Sequence, residues 1–156
     1  MEPKSVYELL QLALSKEKAS IQFYHDLSRL MQNASTKSLF EVLIQQEITH
    51  AKQLELEVEK MGMVVKEMDE ESFLDDSEEE LNKRIQVDNE AVQMTFLDGL
   101  RLAIKKERAA FQLYAQLLGQ TRDRELQDVV MALAEEEMRH VLQFEREYEA
   151  LTHHKD

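Results

Sequence analysis

Apolar residues recur at intervals of three and four along four long segments of the chain, which is the spacing of one face of an α-helix. The pattern predicts helices over residues 5–31 and 37–61, a third starting at Thr95 and a fourth starting after Asp123. The composition agrees, because only 3 Gly and 1 Pro occur in 156 residues, and an all-α protein is expected. The stripes are Leu10, Leu14, Ile21, Tyr24 and Leu27; Leu39, Leu43, Leu54 and Val58; Leu100, Ile104, Phe111, Tyr114 and Leu118; and Val130, Leu133, Phe144, Tyr148 and Leu151.

Residues with capping preferences mark some of the helix ends. Ser5 and Glu8 form the capping-box pattern S-V-Y-E, and Thr95 begins the similar pattern T-F-L-D. Gly62 follows the second segment, where a left-handed residue commonly ends a helix. We therefore expect helices to start at Ser5 and Thr95 and one to stop at Gly62.

The four segments are two copies of one helix pair. The stretch LALSKEKASIQFY at 12–24 aligns without a gap with LAIKKERAAFQLY at 102–114, an offset of 90 residues. We expect a single domain over 1–156, with a first helix pair at 1–62 and a second at 95–152. The acidic stretch 63–94 is too long for a tight turn, and it predicts a crossover along a four-helix bundle. Residues 153–156 are expected to form a tail.

Six ionisable residues lie on the stripes where apolar residues belong: Glu17, Glu47, His50, Glu107, Glu137 and His140. No Lys or Arg lies on these stripes, and an unpaired buried carboxylate costs several kcal/mol. Two divalent cations would neutralise the four carboxylates. The three-residue step from Glu to His, in QQEITH and EEEMRH, places both side chains on one helical face. Oxygen donors with some imidazole suit iron or manganese better than zinc or magnesium.

A single E-x-x-H is a common motif, so one copy would be weak evidence for a metal site. Here the motif occurs twice in the same register of a duplicated hairpin, and each copy is preceded by a Glu on the neighbouring helix. The metal-binding interpretation is therefore favoured. The alternative is a degenerate bundle that retains the motif without a metal.

At these residues the chain resembles the ferritin-like diiron-carboxylate superfamily, and within it the rubrerythrin-type branch. The resemblance covers all four helices and implies a ferritin-like four-helix bundle with one long crossover. It implies that Glu17 and His50 hold one metal ion, that Glu107 and His140 hold the other, and that two glutamates bridge them. The bridging pair would be Glu47 and Glu137.

Tyr24 and Tyr114 each follow a terminal glutamate by seven residues. The resemblance to rubrerythrins implies that they match tyrosines that donate hydrogen bonds to the ligand carboxylates. From the sequence alone they are equally well explained as core aromatic residues with a polar tip.

Two departures from the rubrerythrin pattern bear on function. Rubrerythrins carry a further glutamate one turn after the ligand of the third helix, where this chain has Ala110. Many also carry a cysteine-bound rubredoxin domain, which this chain lacks because it has no Cys. A peroxidase role is therefore weakened, and a separate electron donor is expected.

The resemblance implies a nonheme dinuclear iron protein that binds two ferrous ions and reacts with dioxygen or hydrogen peroxide. Such a protein could be an oxidoreductase of ferroxidase or peroxidase type. The alternatives are a non-catalytic module for iron sequestration or delivery, and a dimanganese protein with the same ligands.

The net charge and the hydropathy of the chain limit the binding partners that we expect. The net charge of −13 repels polyphosphates, so nucleic acid is not an expected partner. The sequence shows neither a membrane-spanning run nor a signal peptide, and we expect a soluble cytoplasmic protein. Apolar residues outside the stripes, Phe40, Ile44 and Phe96, would offer a surface for a homodimer.

Overall fold

A computed structural model of the protein describes residues 5–31, 33–66 and 92–153, and within these residues the chain forms four α-helices and no strand. The expected all-α fold class is confirmed. The predicted crossover, 63–94, and the predicted tail, 153–156, fall mostly outside the described residues. The helices are α1 Val6–Ser28, α2 Ala34–Lys60, α3 Val92–Gln120 and α4 Arg124–His153.

The helices form a bundle in which α1 packs along α2, α3 packs along α4, and α1 packs against α3. Contacts between the middles of α1 and α3 show that they are antiparallel, because Tyr24 meets Glu107 while Glu17 meets Tyr114. Since α1 and α2 are also antiparallel, α2 and α3 run in the same direction. The end of α2 and the start of α3 therefore lie at opposite ends of the bundle, as a crossover connection requires.

The predicted caps at Ser5 and Gly62 are confirmed. The Ser5 hydroxyl accepts a hydrogen bond from the Glu8 amide at 3.1 Å and starts α1. Gly62 has φ +72°, and its amide donates to the carbonyl of Glu59 at 2.9 Å. The next amide, that of Met63, reaches the carbonyl of Val58, so that orphan carbonyls at the end of α2 are satisfied.

Two helix starts differ from the prediction. α2 begins at Ala34 rather than Lys37, because the side chain of Asn33 caps it by accepting from the Ser35 and Thr36 amides. α3 begins at Val92, so the expected cap Thr95 is inside the helix. The residues before Thr95 include no Pro or Gly that would stop a helix, and a capping pattern alone is a weak signal.

Two apolar clusters fill the two ends of the bundle. The first is mainly aliphatic and contains Leu10, Leu54, Leu117 and Val130. The second is rich in aromatic side chains. Its rings stack edge to face or tilted, with centroids 5.6 to 6.3 Å apart, and they belong to Phe23, Tyr24, Phe40, Phe96 and Phe144. The candidate ligands occupy the layer between the two clusters.

The residues expected to form a homodimer surface do not do so. Phe40 is 0% exposed, Ile44 2% and Phe96 8%, because all three fill the aromatic end of the bundle. The basis for predicting a homodimer from these residues was wrong. No helix within the described residues combines the length and the apolarity that a bilayer crossing needs.

Candidate metal centre

All six candidate ligands lie together in the middle of the bundle. Each hairpin contributes one glutamate from its first helix and the E-x-x-H pair from its second, and every one of the six residues is at most 3% exposed. They are buried because the helical period brings their positions onto the same stripes as the leucines. The residues are Glu17, Glu47, His50, Glu107, Glu137 and His140.

The donor atoms form two overlapping groups. In each group four side chains offer one oxygen or nitrogen atom apiece, and these atoms lie within 4.8 Å of one another. Glu47 and Glu137 belong to both groups. The first group adds Glu17 and His50, and the second adds Glu107 and His140. This grouping is compatible with the ligand assignment that the resemblance implied, and the assignment itself stays a prediction.

Several buried atoms of this cluster lack a hydrogen-bond partner within the described part of the chain. One oxygen of each carboxylate has no partner among the described residues, and neither does Nδ1 of His140. That nitrogen lies 2.9 Å from Glu47 Oε1 but without hydrogen-bond geometry. Buried acceptors of this kind are rare unless something satisfies them. Two divalent cations would coordinate these atoms and balance the four negative charges, so the residues fit a dinuclear metal site.

Both imidazoles turn Nδ1 towards the four glutamates of the cluster and Nε2 away from these four residues. Nδ1 of His50 lies 2.9 Å from Glu137 Oε1 and 3.8 Å from Glu17 Oε2. Nδ1 of His140 lies 3.6 Å from Glu107 Oε2. The Nε2 atoms contact two further side chains, which are not among the six candidate ligands. That of His50 meets the Glu136 carboxylate, and that of His140 lies 2.7 Å from Gln46 Oε1.

The two tyrosines cross between the hairpins. The hydroxyl of Tyr114 on α3 donates to Glu17 Oε1 on α1 at 2.7 Å, and that of Tyr24 on α1 donates to Glu107 on α3. The two bonds are related by the 90-residue repeat. Burial and the nearby carboxylates raise the pKa of both phenols well above the usual value, so both remain protonated donors.

Without metal the carboxylates differ in their affinity for protons. Burial and the charges of Glu17 and Glu107 raise the pKa of Glu47 well above its usual value. Burial also raises the pKa of Glu107, although His140 partly opposes this. For Glu17 burial acts in the same direction, but the neighbouring Glu47 and His50 outweigh it and lower its pKa. Burial lowers the pKa of His50, and the nearby Glu17 and Glu136 raise it by more.

Gln46 and Glu136 were not among the candidate site residues predicted from the sequence. Each directly precedes a shared glutamate, and the two positions are 90 residues apart, so the repeat did contain a signal. Their contacts with the imidazoles join residues 94 and 86 apart in sequence, which helical periodicity within one segment does not reveal.

A groove separates α2 and α4 and reaches the centre from outside. One cavity of about 420 Å³ is lined by Gln46, Glu136 and His140, among others, and a second of about 510 Å³ also includes Gln46 and Glu136. Solvent therefore comes within one side chain of His50 and reaches the edge of His140. Outside this centre, His25 is exposed, and the residue 90 positions later in the repeat is Ala115. Ala110 is buried.

Solved structures of other proteins share this architecture. The chain is similar to a hypothetical protein from Pyrococcus furiosus, with a TM-score of 0.72, 20% identity and coverage of 94% of this chain and 90% of the other. It is also similar to a conserved hypothetical protein from Mycobacterium tuberculosis, with a TM-score of 0.71, 14% identity and coverage of 94% and 98%. At such identities these likenesses show the fold, and the expected ferritin-like bundle is confirmed.

A search of curated proteins found no significant match. The sequence model described as Rubrerythrin matches residues 8–148, a range that reaches all four helices. The match spans most of the chain and all six candidate ligands. The chain therefore belongs to the rubrerythrin family.

Proposed function

We propose that this protein is a nonheme dinuclear iron protein that reacts with dioxygen or hydrogen peroxide. In this proposal Glu17 and His50 hold one ion and Glu107 and His140 hold the other. The shared glutamates, Glu47 and Glu137, hold both. The observation that carries the proposal is the pair of overlapping donor groups, whose buried carboxylate oxygens have no hydrogen-bond partner among the described residues.

The donor set supports iron over softer or more weakly bound metals. Four carboxylates and two imidazoles favour iron or manganese, and the four negative charges balance two divalent ions. When bound, two ferrous ions supply two electrons, enough with two protons to reduce one hydrogen peroxide to two waters or one dioxygen to hydrogen peroxide. The protein contributes an environment that favours the more highly charged ferric state.

The residues around the centre support this chemistry. The Tyr24 and Tyr114 hydroxyls hold one oxygen of each terminal glutamate, which leaves the other oxygen for a metal. Apolar clusters on both sides exclude water, while the groove beside His140 gives a small oxidant a path from solvent. The chain has no Cys, so electrons for repeated turnover come from a separate donor.

The test is aerobic addition of ferrous ions to the metal-free protein. We expect ferric absorption to saturate at two ions per chain, with consumption of dioxygen measured by an oxygen electrode. Glu137→Ala removes a shared carboxylate and should abolish the saturable phase, while Glu135→Ala on the exposed side of the same helix should not. Tight binding of two ferrous ions without oxidation would favour sequestration or delivery. Metal analysis showing manganese in natively purified protein would favour the dimanganese alternative.

A further inference from the structure

Among the six candidate ligands and the side chains that hydrogen-bond them, the two halves of the centre differ at one pair of positions. Across the 90-residue repeat, glutamate matches glutamate, histidine matches histidine, and Tyr24 matches Tyr114. Position 46 is Gln, whereas its counterpart at 136 is Glu. These are the two residues that contact the Nε2 atoms of the imidazoles. The repeat is therefore broken at the groups that support the candidate histidine ligands.

An oxygen acceptor at Nε2 fixes the proton on that nitrogen and leaves the Nδ1 lone pair directed at the carboxylate cluster. Gln46 and Glu136 both provide such an oxygen, so both imidazoles have the same tautomer. The acceptors differ in charge, because the amide of Gln46 is neutral and the carboxylate of Glu136 is negative. A carboxylate polarises the imidazole more strongly and makes Nδ1 the better electron donor to a cation.

We propose that Glu136 is a positioning residue that makes the two ion positions unequal, so that the ion held by Glu17 and His50 binds more tightly than the ion held by Glu107 and His140. This inference rests on the proposed function, since it requires that the six residues bind two ions. A divalent ion therefore occupies the His50 position first, and a protein with one ion per chain carries it there.

The surroundings of Glu136 set the size of the effect. Its side chain is 40% exposed, so solvent weakens its charge at His50. Arg139 and Arg146 line the same groove, but within the described residues no ion pair joins either of them to Glu136. Loss of a partner of a metal-binding histidine typically costs 10-fold to 100-fold in affinity, and the exposure of Glu136 places our expectation at about tenfold.

Single-histidine variants separate the two positions. His140→Ala retains the carboxylate-supported His50, and His50→Ala retains the amide-supported His140. We expect the Kd of the first Co²⁺ ion to be about tenfold lower in His140→Ala than in His50→Ala. Chelator competition followed by visible absorption measures both values. Glu136→Gln should remove this difference when added to His140→Ala and should leave the Kd of His50→Ala unchanged.

A second test looks for a gain in Co²⁺ affinity, which would not occur if Glu136 had only a structural role. Gln46→Glu, added to His50→Ala, gives the remaining His140 a carboxylate partner and should lower its Kd for Co²⁺ about tenfold. The matched control is Gln45→Glu, which adds the same charge at the neighbouring exposed position of α2. That control should change the Kd less than twofold.

A measurement on the metal-free protein does not depend on the histidine variants folding. In proton NMR spectra the Nε2–H of His50 should resonate downfield of that of His140, because its acceptor is charged. Glu136→Gln should bring the two resonances together. Equal resonances in the unchanged protein, or equal Co²⁺ affinities of the two histidine variants, would overturn the inference while leaving the proposed function in place. If the unchanged protein bound no Co²⁺ and no Fe²⁺, the proposed function would fail, and the inference with it.

Discussion

At the scale of single residues, the centre contains too few proton donors for its buried acceptors. The two phenols each serve one terminal glutamate, Glu17 or Glu107. The shared glutamates receive no tyrosine, and the nearest nitrogen atoms are Nδ1 of the two imidazoles. Glu47 and Glu137 therefore depend most on a proton or a cation. For Glu47 this dependence appears as a raised pKa caused by burial and by the charges of neighbouring carboxylates.

Glu47→Gln should have opposite effects on the metal-free and metal-bound protein. Without metal the neutral amide removes a buried charge at constant volume, so the unfolding free energy at pH 7.5 should rise by about 1 kcal/mol or more. With Mn²⁺ or Co²⁺ the stabilisation by metal should largely disappear, because both ion positions lose a ligand. Thermal unfolding with and without metal measures both effects. The control is Glu41→Gln, at an exposed position of the same helix, which should change neither the stability of the metal-free protein nor the stabilisation by metal. If Glu47→Gln made the metal-free protein less stable, the predicted cost of this buried carboxylate would be wrong.

Tyr114→Phe should destabilise the metal-free protein by about 1.5 to 3 kcal/mol, since Glu17 loses a buried hydrogen bond to a charged acceptor. The matched control is Tyr7→Phe, whose hydroxyl donates at 2.9 Å to the carbonyl of Val64 in an exposed setting. That control should cost less than about 1 kcal/mol. Urea unfolding measures both variants, and equal losses would show that the Tyr114 hydroxyl has no special role.

At the scale of the helices, the sequence was most informative where one helix determines the outcome. Helical spacing was sufficient to bring Glu47 and His50 onto one face, and the repeat extended this to Glu137 and His140. The cap at Ser5 and the left-handed Gly62 are also local, and both were predicted correctly. Helix starts were less predictable, because a possible cap inside a run of helix-forming residues does not by itself begin a helix.

Contacts between helices were the part that the sequence did not reveal. The partners of Nε2, Gln46 and Glu136, depend on how far apart α2 and α4 lie and on which side chains face the groove. Similarly, Phe40 and Phe96 lie off the predicted stripes but are buried, because aromatic side chains from all four helices meet around Phe40. A stripe defines the centre of a buried face, and packing between helices decides how far that face extends.

Two glycines of α3 provide a prediction at this scale. A Cβ at Gly99 would overlap Cδ1 of Leu27 on α1, which is 0% exposed and has little room to move, whereas a Cβ at Gly119 would meet nothing within 4 Å. Gly119→Ala should therefore stabilise the protein by about 0.5 kcal/mol through helix propensity, reduced by its place near the helix end. Gly99→Ala gains about 1 kcal/mol in propensity but loses about 1 to 3 kcal/mol by overpacking.

The net effect of Gly99→Ala is a destabilisation of about 1 kcal/mol, opposite in sign to that of Gly119→Ala. Midpoints of urea unfolding compare the two variants directly. If both alanines stabilised the protein to a similar degree, α1 and α3 would not approach as closely as their packing at Leu27 indicates.

At the scale of the whole molecule, the bundle places a polar layer between two apolar ends, and this order would link folding to metal binding. The aliphatic and aromatic clusters stabilise the fold on either side, while the buried carboxylates of the layer between them oppose folding, a cost that bound cations would remove. The net charge of −13 adds a general attraction for cations. Metal ions should therefore act as ligands of the folded state and stabilise it by mass action.

With rising pH, the stability of the metal-free protein should fall, whereas the stabilisation by bound metal should grow. In the metal-free protein the pKa values of Glu47 and Glu107 lie above the usual 4.5, so the stability they contribute is complete below pH 4.5 and is lost as pH rises through the raised values. The raised pKa of His50 acts in the same direction above its usual 6.5. Glu17 has a lowered pKa, so its contribution is already complete above pH 4.5 and does not oppose the trend.

Metal binding requires the same carboxylates to be deprotonated and the imidazoles to be neutral, so metal affinity should increase with pH. The unfolding temperature of the metal-free protein should thus fall between pH 5 and pH 8, while the increase caused by saturating Mn²⁺ should grow over the same range. Thermal unfolding followed by circular dichroism, with chelator or with Mn²⁺, measures both curves. Parallel curves would mean that the metal binds elsewhere, because only ions that replace protons on the buried glutamates make the two trends diverge.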